Sequence, residues 1–188
     1  MSQPVIRTEE VLRYLEKRKG ILDGVCVTGG EPTLDADLKP LLKEIKALGY
    51  LIKLDTNGSR PDVLRDLAEN RLIDMAAMDI KASPEQYAAA AGIPGLDLIP
   101  IGDSVQYLLR GKLPYEFRTT VVKELHDRST FVSIGKWIAG ASAYYLQAFR
   151  DSENVMVDGF HSYSCQELVE FRRLLEETIP KVGIRGID

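Results

Sequence analysis

The sequence predicts an α/β fold built on a parallel sheet, and three observations carry that reading. Short β-branched or apolar runs alternate with longer segments whose apolar residues recur at spacings of three and four. Each run is followed at once by such a helical segment, the chain order that parallel strands require. Hydrophobic residues make up 45% of the 188 and charged residues 28%, enough apolar surface to bury one core. No repeat, low-complexity tract or linker divides the chain, so residues 1–188 read as a single domain.

The elements follow in order. Val11, Leu12 and Leu15 form the apolar stripe of a first helix, Glu9 and Glu10 suit its positive end, and Gly20 stops it. A strand runs from Gly24 to Thr28. Leu38, Leu41, Leu42, Ile45 and Leu48 mark a helix that tolerates Pro40 in its first turn and ends at Gly49. A second strand spans Leu51 to Asp55, a helix opens at Pro61 with Val63, Leu64 and Leu67 inside, and a third strand spans Asp74 to Ile80. Ser83-Pro84-Glu85-Gln86 has the form of a capping box and should open a short Ala-rich helix that stops by Gly92. Gly and Pro make 92–102 a loop before a brief helix from Asp103 to Arg110. A fourth strand, Tyr115 to Val121, precedes a helix over Thr130 to Ala139, and a fifth strand spans Ala143 to Phe149. Ser164-Cys165-Gln166-Glu167 is a second capping box, followed by a stripe of Leu168, Phe171, Leu175 and Ile179. Gly183 to Ile187 closes the chain as an edge strand.

Charge and composition exclude several partners. Lys and Arg number 24 against 28 Asp and Glu, a net charge of −4, and no five-residue basic run would reward a phosphate backbone. No apolar stretch approaches the roughly 18 to 20 residues that span a bilayer, and Met1-Ser2-Gln3-Pro4 begins no signal peptide. The expectation is a cytoplasmic protein that binds neither nucleic acid nor membrane. The two cysteines, Cys26 and Cys165, are too far apart in sequence to suggest a disulfide framework or a metal-ligand pair.

Five βα units are too few to close an eight-stranded barrel, so the order fits an open sheet or a partial barrel. Both gather ligands at the carboxyl ends of the strands. After the first strand, Thr28-Gly29-Gly30-Glu31-Pro32 places two glycines where backbone groups can approach a ligand. Glu31 offers an anionic acceptor suited to an ammonium, although a tight turn with positive φ explains the same string. After the second, Asp55 faces the rim, and Asn57-Gly58 reads equally as a turn. After the third, Asp79 and Lys81 share a side by strand alternation, as a ligand-facing pair or a satisfied ion pair. Arg118 and Gln147 on strands four and five can reach the same space or serve as strand-face polar residues. His126 and His161 read as solvated loop residues, Cys26 as a small buried hydrophobe, and Cys165 as a helix-opening residue with no base beside it.

Taken together, Val25-Cys26-Val27-Thr28-Gly29-Gly30-Glu31-Pro32-Thr33-Leu34, Leu54-Asp55-Thr56-Asn57-Gly58 and Met78-Asp79-Ile80-Lys81 resemble the radical S-adenosylmethionine enzymes. More narrowly they resemble the glycyl-radical activating enzymes, above all those that serve anaerobic ribonucleoside-triphosphate reductase, with pyruvate formate-lyase activase as a relative. The likeness runs from Glu9 to Ile187. It implies a partial (β/α)6 TIM-type barrel, reductive cleavage of S-adenosylmethionine to a 5′-deoxyadenosyl radical, and hydrogen abstraction from a backbone glycine of a large partner. It also implies a flavodoxin- or ferredoxin-type electron donor. Gly29, Gly30 and Glu31 would hold the methionyl amino group, Asp79 and Lys81 the carboxylate and ribose, with Asn57, Arg118 and Gln147 also lining the cofactor site. Asp55 and Asp79 would hold a monovalent cation.

The family binds its [4Fe–4S] cluster through a C-x3-C-x2-C loop after the first strand, and this sequence has none. The expectation is therefore a fragment lacking that strand and loop, roughly 40 to 50 residues, and inactive alone. Its exposed sheet edge should favour self-association. A small-molecule radical enzyme and a non-catalytic scaffold are the competing readings.

Overall fold

Alternation in the strands sets the architecture, because one set of alternate residues is apolar enough to demand helices over it. The computed structural model describes residues 6–151 and 159–187, so Met1-Ser2-Gln3-Pro4 lies outside the described residues. The helices are α1 (Thr8–Glu16), α2 (Leu38–Ala47), α3 (Pro61–Glu69), α4 (Tyr87–Ala90), α5 (Ile99–Leu109), α6 (Arg128–Trp137) and α7 (Cys165–Leu175). The strands are β1 (Gly24–Val27), β2 (Leu51–Thr56), β3 (Met75–Asp79), β4 (Tyr115–Val121), β5 (Tyr144–Ala148) and β6 (Val182–Arg185). They form one parallel sheet in chain order, β1 to β6, with β1 bonded only to β2 and β6 only to β5 among the described residues. The sheet is open, a partial barrel rather than a closed one.

Ile52, Leu54, Ala76, Met78, Phe117, Tyr144 and Leu146 lie on the helix-covered face and are at most 1% exposed. Parallel register carries the other set across the sheet. Cys26 is opposite Lys53, Asp55 opposite Ala77, Asp79 opposite Arg118, and Arg118 opposite Tyr145. These residues form a second, polar face, which an all-parallel sheet covered on both sides would not carry.

Local differences from the sequence reading have physical causes. Ser83 does not cap α4, which starts at Tyr87 without a side-chain cap. Gln86 Oε1 accepts from the Thr130 hydroxyl at 2.9 Å and, more distantly, from Ser83 Oγ at 3.4 Å. The expected loop at 92–102 gives way to α5 from Ile99, because Pro100 falls in the first turn, where a missing N–H costs nothing. Asp127 was overlooked as a cap. Its carboxylate accepts from Thr130 N at 2.8 Å, while Thr130 Oγ1 accepts from Asp127 N, so α6 starts at Arg128. The Ser164–Glu167 capping box forms as expected. Cys26 is exposed rather than buried, since it points to the uncovered face of an edge strand.

Candidate functional site

Three strand exits converge on one mouth. Thr28, Gly29 and Gly30 after β1, Asp55, Thr56 and Asn57 at the end of β2, Asp79 and Lys81 at the end of β3, and Arg118 of β4 line a cavity of about 220 Å³. Gly29 and Gly30 have φ of 101° and 52°, and a Cβ on either would meet nothing within 4 Å. Left-handed backbone demands glycine here, and the same absence of side chains leaves peptide groups open toward the cavity. The tight-turn reading of the glycine pair therefore holds, and the open space beside it is compatible with a ligand.

Glu31 stands apart from the residues with which it was grouped, for its carboxylate does not line this cavity. Oε1 accepts from Thr33 N at 3.1 Å, Thr33 Oγ1 at 2.6 Å and Thr56 Oγ1 at 2.8 Å, and Oε2 accepts from Asn57 N at 2.5 Å. It straps the exit of β1 to the exit of β2. Asn57 is held further by its own Oδ1, which accepts from Ser59 N at 2.9 Å. Gly58 is fastened from behind, its carbonyl accepting from Ser104 Oγ at 2.7 Å. A Cβ on Gly58 would overlap the Met78 methyl and lie 3.3 Å from Ser104 Cβ, so this turn requires glycine for space as well as for its φ of 75°.

Arg118 is the hub of the charged residues. Its Nε donates to Asp79 Oδ1 at 2.5 Å and its Nη1 to Asp55 Oδ2 at 2.9 Å, while Lys81 Nζ lies 3.1 Å from Asp79 Oδ2. The guanidinium therefore stands between the two acids for which the resemblance implies a monovalent cation. Lys53 approaches Asp55 Oδ1 at 3.3 Å and Glu116 at 3.5 Å, and Arg185 grips Glu116 with two bonds of 2.8 Å. Burial pushes the Asp55 carboxyl up, but the bonds and charge of Arg118, aided by Lys53, bring it below its ordinary 3.8. Glu116 behaves alike. Burial raises its pKa, and Arg185 with Lys53 hold it below 4.5. Burial, then the neighbouring Asp55 charge, raises the Cys26 thiol.

Gln147 lies on the same polar face, opposite Arg185 at its strand end, but outside the lining of the mouth. His126 is buried at 3% exposure rather than solvated. The chain after β4 folds back and stacks the ring on Phe131, with centroids 5.8 Å apart. His161 does remain exposed, paired with Glu124 at 2.7 Å. The sequence reading missed Thr28 and Thr56 as lining residues and Lys53, Glu116 and Arg185 as the rest of the charged ribbon. Strand alternation counted outward from Asp55 and Arg118 would have found the ribbon.

A second cavity of about 200 Å³ shares Asp79, Lys81 and Arg118 with the mouth and is otherwise walled largely by Ile80, Val122, Leu125, Phe149 and Phe160, with His126 at its side.

Known proteins resemble this chain in sequence and in fold. A Methanocaldococcus jannaschii protein named as a glycyl-radical enzyme activating enzyme is 28% identical over 173 residues, covering 88% of this chain and 72% of that protein. A Thermococcus kodakarensis protein named as a GTP 3′,8-cyclase is 33% identical over 132 residues, and a 7-carboxy-7-deazaguanine synthase of Koribacter versatilis is 28% identical over 140. Those matches cover 68% and 73% of this chain but only 41% and 55% of the two relatives' own lengths. A domain of pyruvate-formate lyase-activating enzyme from Bacteroides vulgatus superposes with a TM-score of 0.70 at 17% identity, over 88% of this chain and all of that domain. The Radical SAM superfamily model matches residues 2–134. That span is well over half of the 188 residues, and the chain belongs to the radical SAM superfamily.

Proposed function

We propose that this chain serves glycyl-radical enzyme activation, seating S-adenosylmethionine in the mouth at the ends of β1 to β4, with anaerobic ribonucleoside-triphosphate reductase as the partner. The observation that carries the reading is the convergence of Gly29, Gly30, Asn57, Asp79 and Lys81 on one 220 Å³ cavity. The open peptide groups of Gly29 and Gly30 suit an ammonium. Lys81, paired with Asp79 at 3.1 Å but with its side chain 47% exposed, can also present its charge to a ligand carboxylate. Asp79 can accept from ribose hydroxyls, and Asn57 keeps its Nδ2 for a ligand because Oδ1 is engaged. Glu31 acts through Asn57 and Thr56, as a positioning residue.

The family uses S-adenosylmethionine with a [4Fe–4S] cluster, which together supply a 5′-deoxyadenosyl radical. The donor set suits the first and not the second. Among the described residues no group of three His, Cys, Asp or Glu could hold a metal, and the sequence has two cysteines where a cluster needs three convergent thiolates. The residues of this chain therefore account for cofactor seating, charge balance and backbone positioning.

The test is a titration with S-adenosylmethionine to millimolar concentration, followed through the amide resonances of Gly29, Gly30, Asn57 and Lys81. Saturable shifts there, weakened about tenfold by Lys81→Met, support the reading, and shifts absent at all four amides reject it. Anaerobic sedimentation with the reductase tests the partner. The second reading is a small-molecule radical enzyme, favoured by the 28% identity to the Koribacter synthase over 73% of this chain. It gains if the reductase does not co-sediment while the cofactor still binds.

A further inference from the structure

Three consecutive carbonyls at the end of β3 are each captured by a side chain from a different element. Tyr87 Oη of α4 donates to the Asp79 carbonyl at 3.2 Å, and Thr119 Oγ1 of β4 to the Ile80 carbonyl at 2.6 Å. The imidazole Nε2 of His126, in the β4–α6 loop, lies 2.9 Å from the Lys81 carbonyl. The tautomer follows from the partners. A carbonyl at Nε2 requires a proton there, and Nδ1 lies 3.1 Å from both the N and the carbonyl oxygen of Val122, accepting from the first in the neutral ring. Phe131 stacks on the ring, and the Tyr163 hydroxyl holds the His126 backbone, donating to its carbonyl at 2.5 Å.

Secondary structure asks for none of this. Past a strand end, backbone carbonyls ordinarily turn to water, and a buried imidazole costs desolvation that only full pairing offsets. The tight capture falls on the segment that carries Asp79 and Lys81 into the mouth. We propose that His126 is a positioning residue for Lys81, the outermost of three latches that hold this segment in its ligand-ready course before any ligand arrives. Lys81 lies past the last strand residue with its side chain half-exposed, and the imidazole is the group that engages its carbonyl.

The inference rests on the mouth being the S-adenosylmethionine site, and its test separates the two claims. His126→Gln keeps an N–H where Nε2 stood, and His126→Phe keeps the stack on Phe131 without the donor. Both lose the acceptor for Val122 N–H, so a purely structural role predicts equal effects. In the free protein, His126→Phe is expected to speed hydrogen exchange and lower the order of Lys81 and Ala82, while His126→Gln leaves both near wild type. In the S-adenosylmethionine titration, His126→Phe is expected to lose about tenfold in affinity and His126→Gln no more than about threefold. Matching thermal midpoints for the two variants confirm that folding is not the difference. Unchanged order at Lys81 in the Phe variant, or equal losses in both variants, overturns the proposal. A wild-type chain that takes no ligand overturns the reading of the mouth instead, and the free-protein measurement still decides the latch.

Discussion

The same strands build two faces of opposite character. On the helix-covered face, Leu54, Met78 and Phe117 are wholly buried among apolar neighbours. One residue along each strand, Asp55, Asp79 and Arg118 form the ion-paired ribbon of the other face. The first face stabilises by removing apolar surface from water, which tolerates any partner of the right volume. The second depends on each charge meeting its opposite in a set geometry, which contributes little net stability and much positional definition. The comparison teaches that this sheet separates what holds it together from what it presents.

Breaking the two faces should therefore give different signatures. The largest expected effect on stability is Leu54→Ala, which opens a cavity in the covered face and should cost about 2–5 kcal/mol in urea unfolding, with the mouth residues unchanged in geometry. Arg118→Met comes next. It leaves Asp55 and Asp79 without their shared cation, although Lys53 and Lys81 remain nearby, and should cost about 1–3 kcal/mol. Cofactor affinity should fall far more than for Leu54→Ala. Equal ligand losses in the two variants would erase the distinction between the faces.

The smallest effect is the pH dependence of the ribbon. Asp55 and Glu116 have carboxyl groups held below 3.8 and 4.5, so their contribution is fully present above those ordinary values and is lost as pH falls through the lower, folded ones. Thermal midpoints should decline as pH drops below about 4.5, and the Asp55→Asn, Glu116→Gln double variant should decline less. His126 adds a separate limb. Burial lowers its pKa from 6.5, so the unfolded chain takes up the proton first and stability should begin to fall below about pH 6.5. The Lys81 and Val122 carbonyls and the Asp127 charge oppose that burial without outweighing it, and Asp79, Lys81 and Arg118 are the charged groups that share the smaller cavity with the ring. His126→Gln should remove it, and a midpoint curve unchanged between pH 5 and 7 would refute it.

Much of this was legible in the chain because local signals agreed with the final packing. The strand-and-helix alternation, the Ser164 capping box and the strand-end residues Gly29, Gly30, Asp55, Asn57, Asp79, Lys81 and Arg118 all stand where spacing placed them. Three departures from the sequence reading share one cause, that a side chain's partner lies far away in sequence. Gln86 accepts from Thr130, 44 residues on, at a shorter distance than from Ser83. Glu31 turned from the mouth to serve Asn57, 26 residues on, and His126 left solvent for Lys81, 45 residues back. Periodicity shows which face a residue occupies but is silent on which distant donor will claim it.

The strap made by Glu31 has one further consequence. Among the described residues β1 is the outermost ribbon of the sheet, four residues bonded on a single side, and such margins are where a fold comes undone first. Since the carboxylate that stitches this margin to its neighbour does so by holding Thr56 and Asn57 of the rim, peeling of the margin and dissolution of the pocket are one event. A guest resting on Gly29 and Gly30 would tighten the hem, and the amides of Val25 and Val27 would then trade their hydrogens with water more slowly.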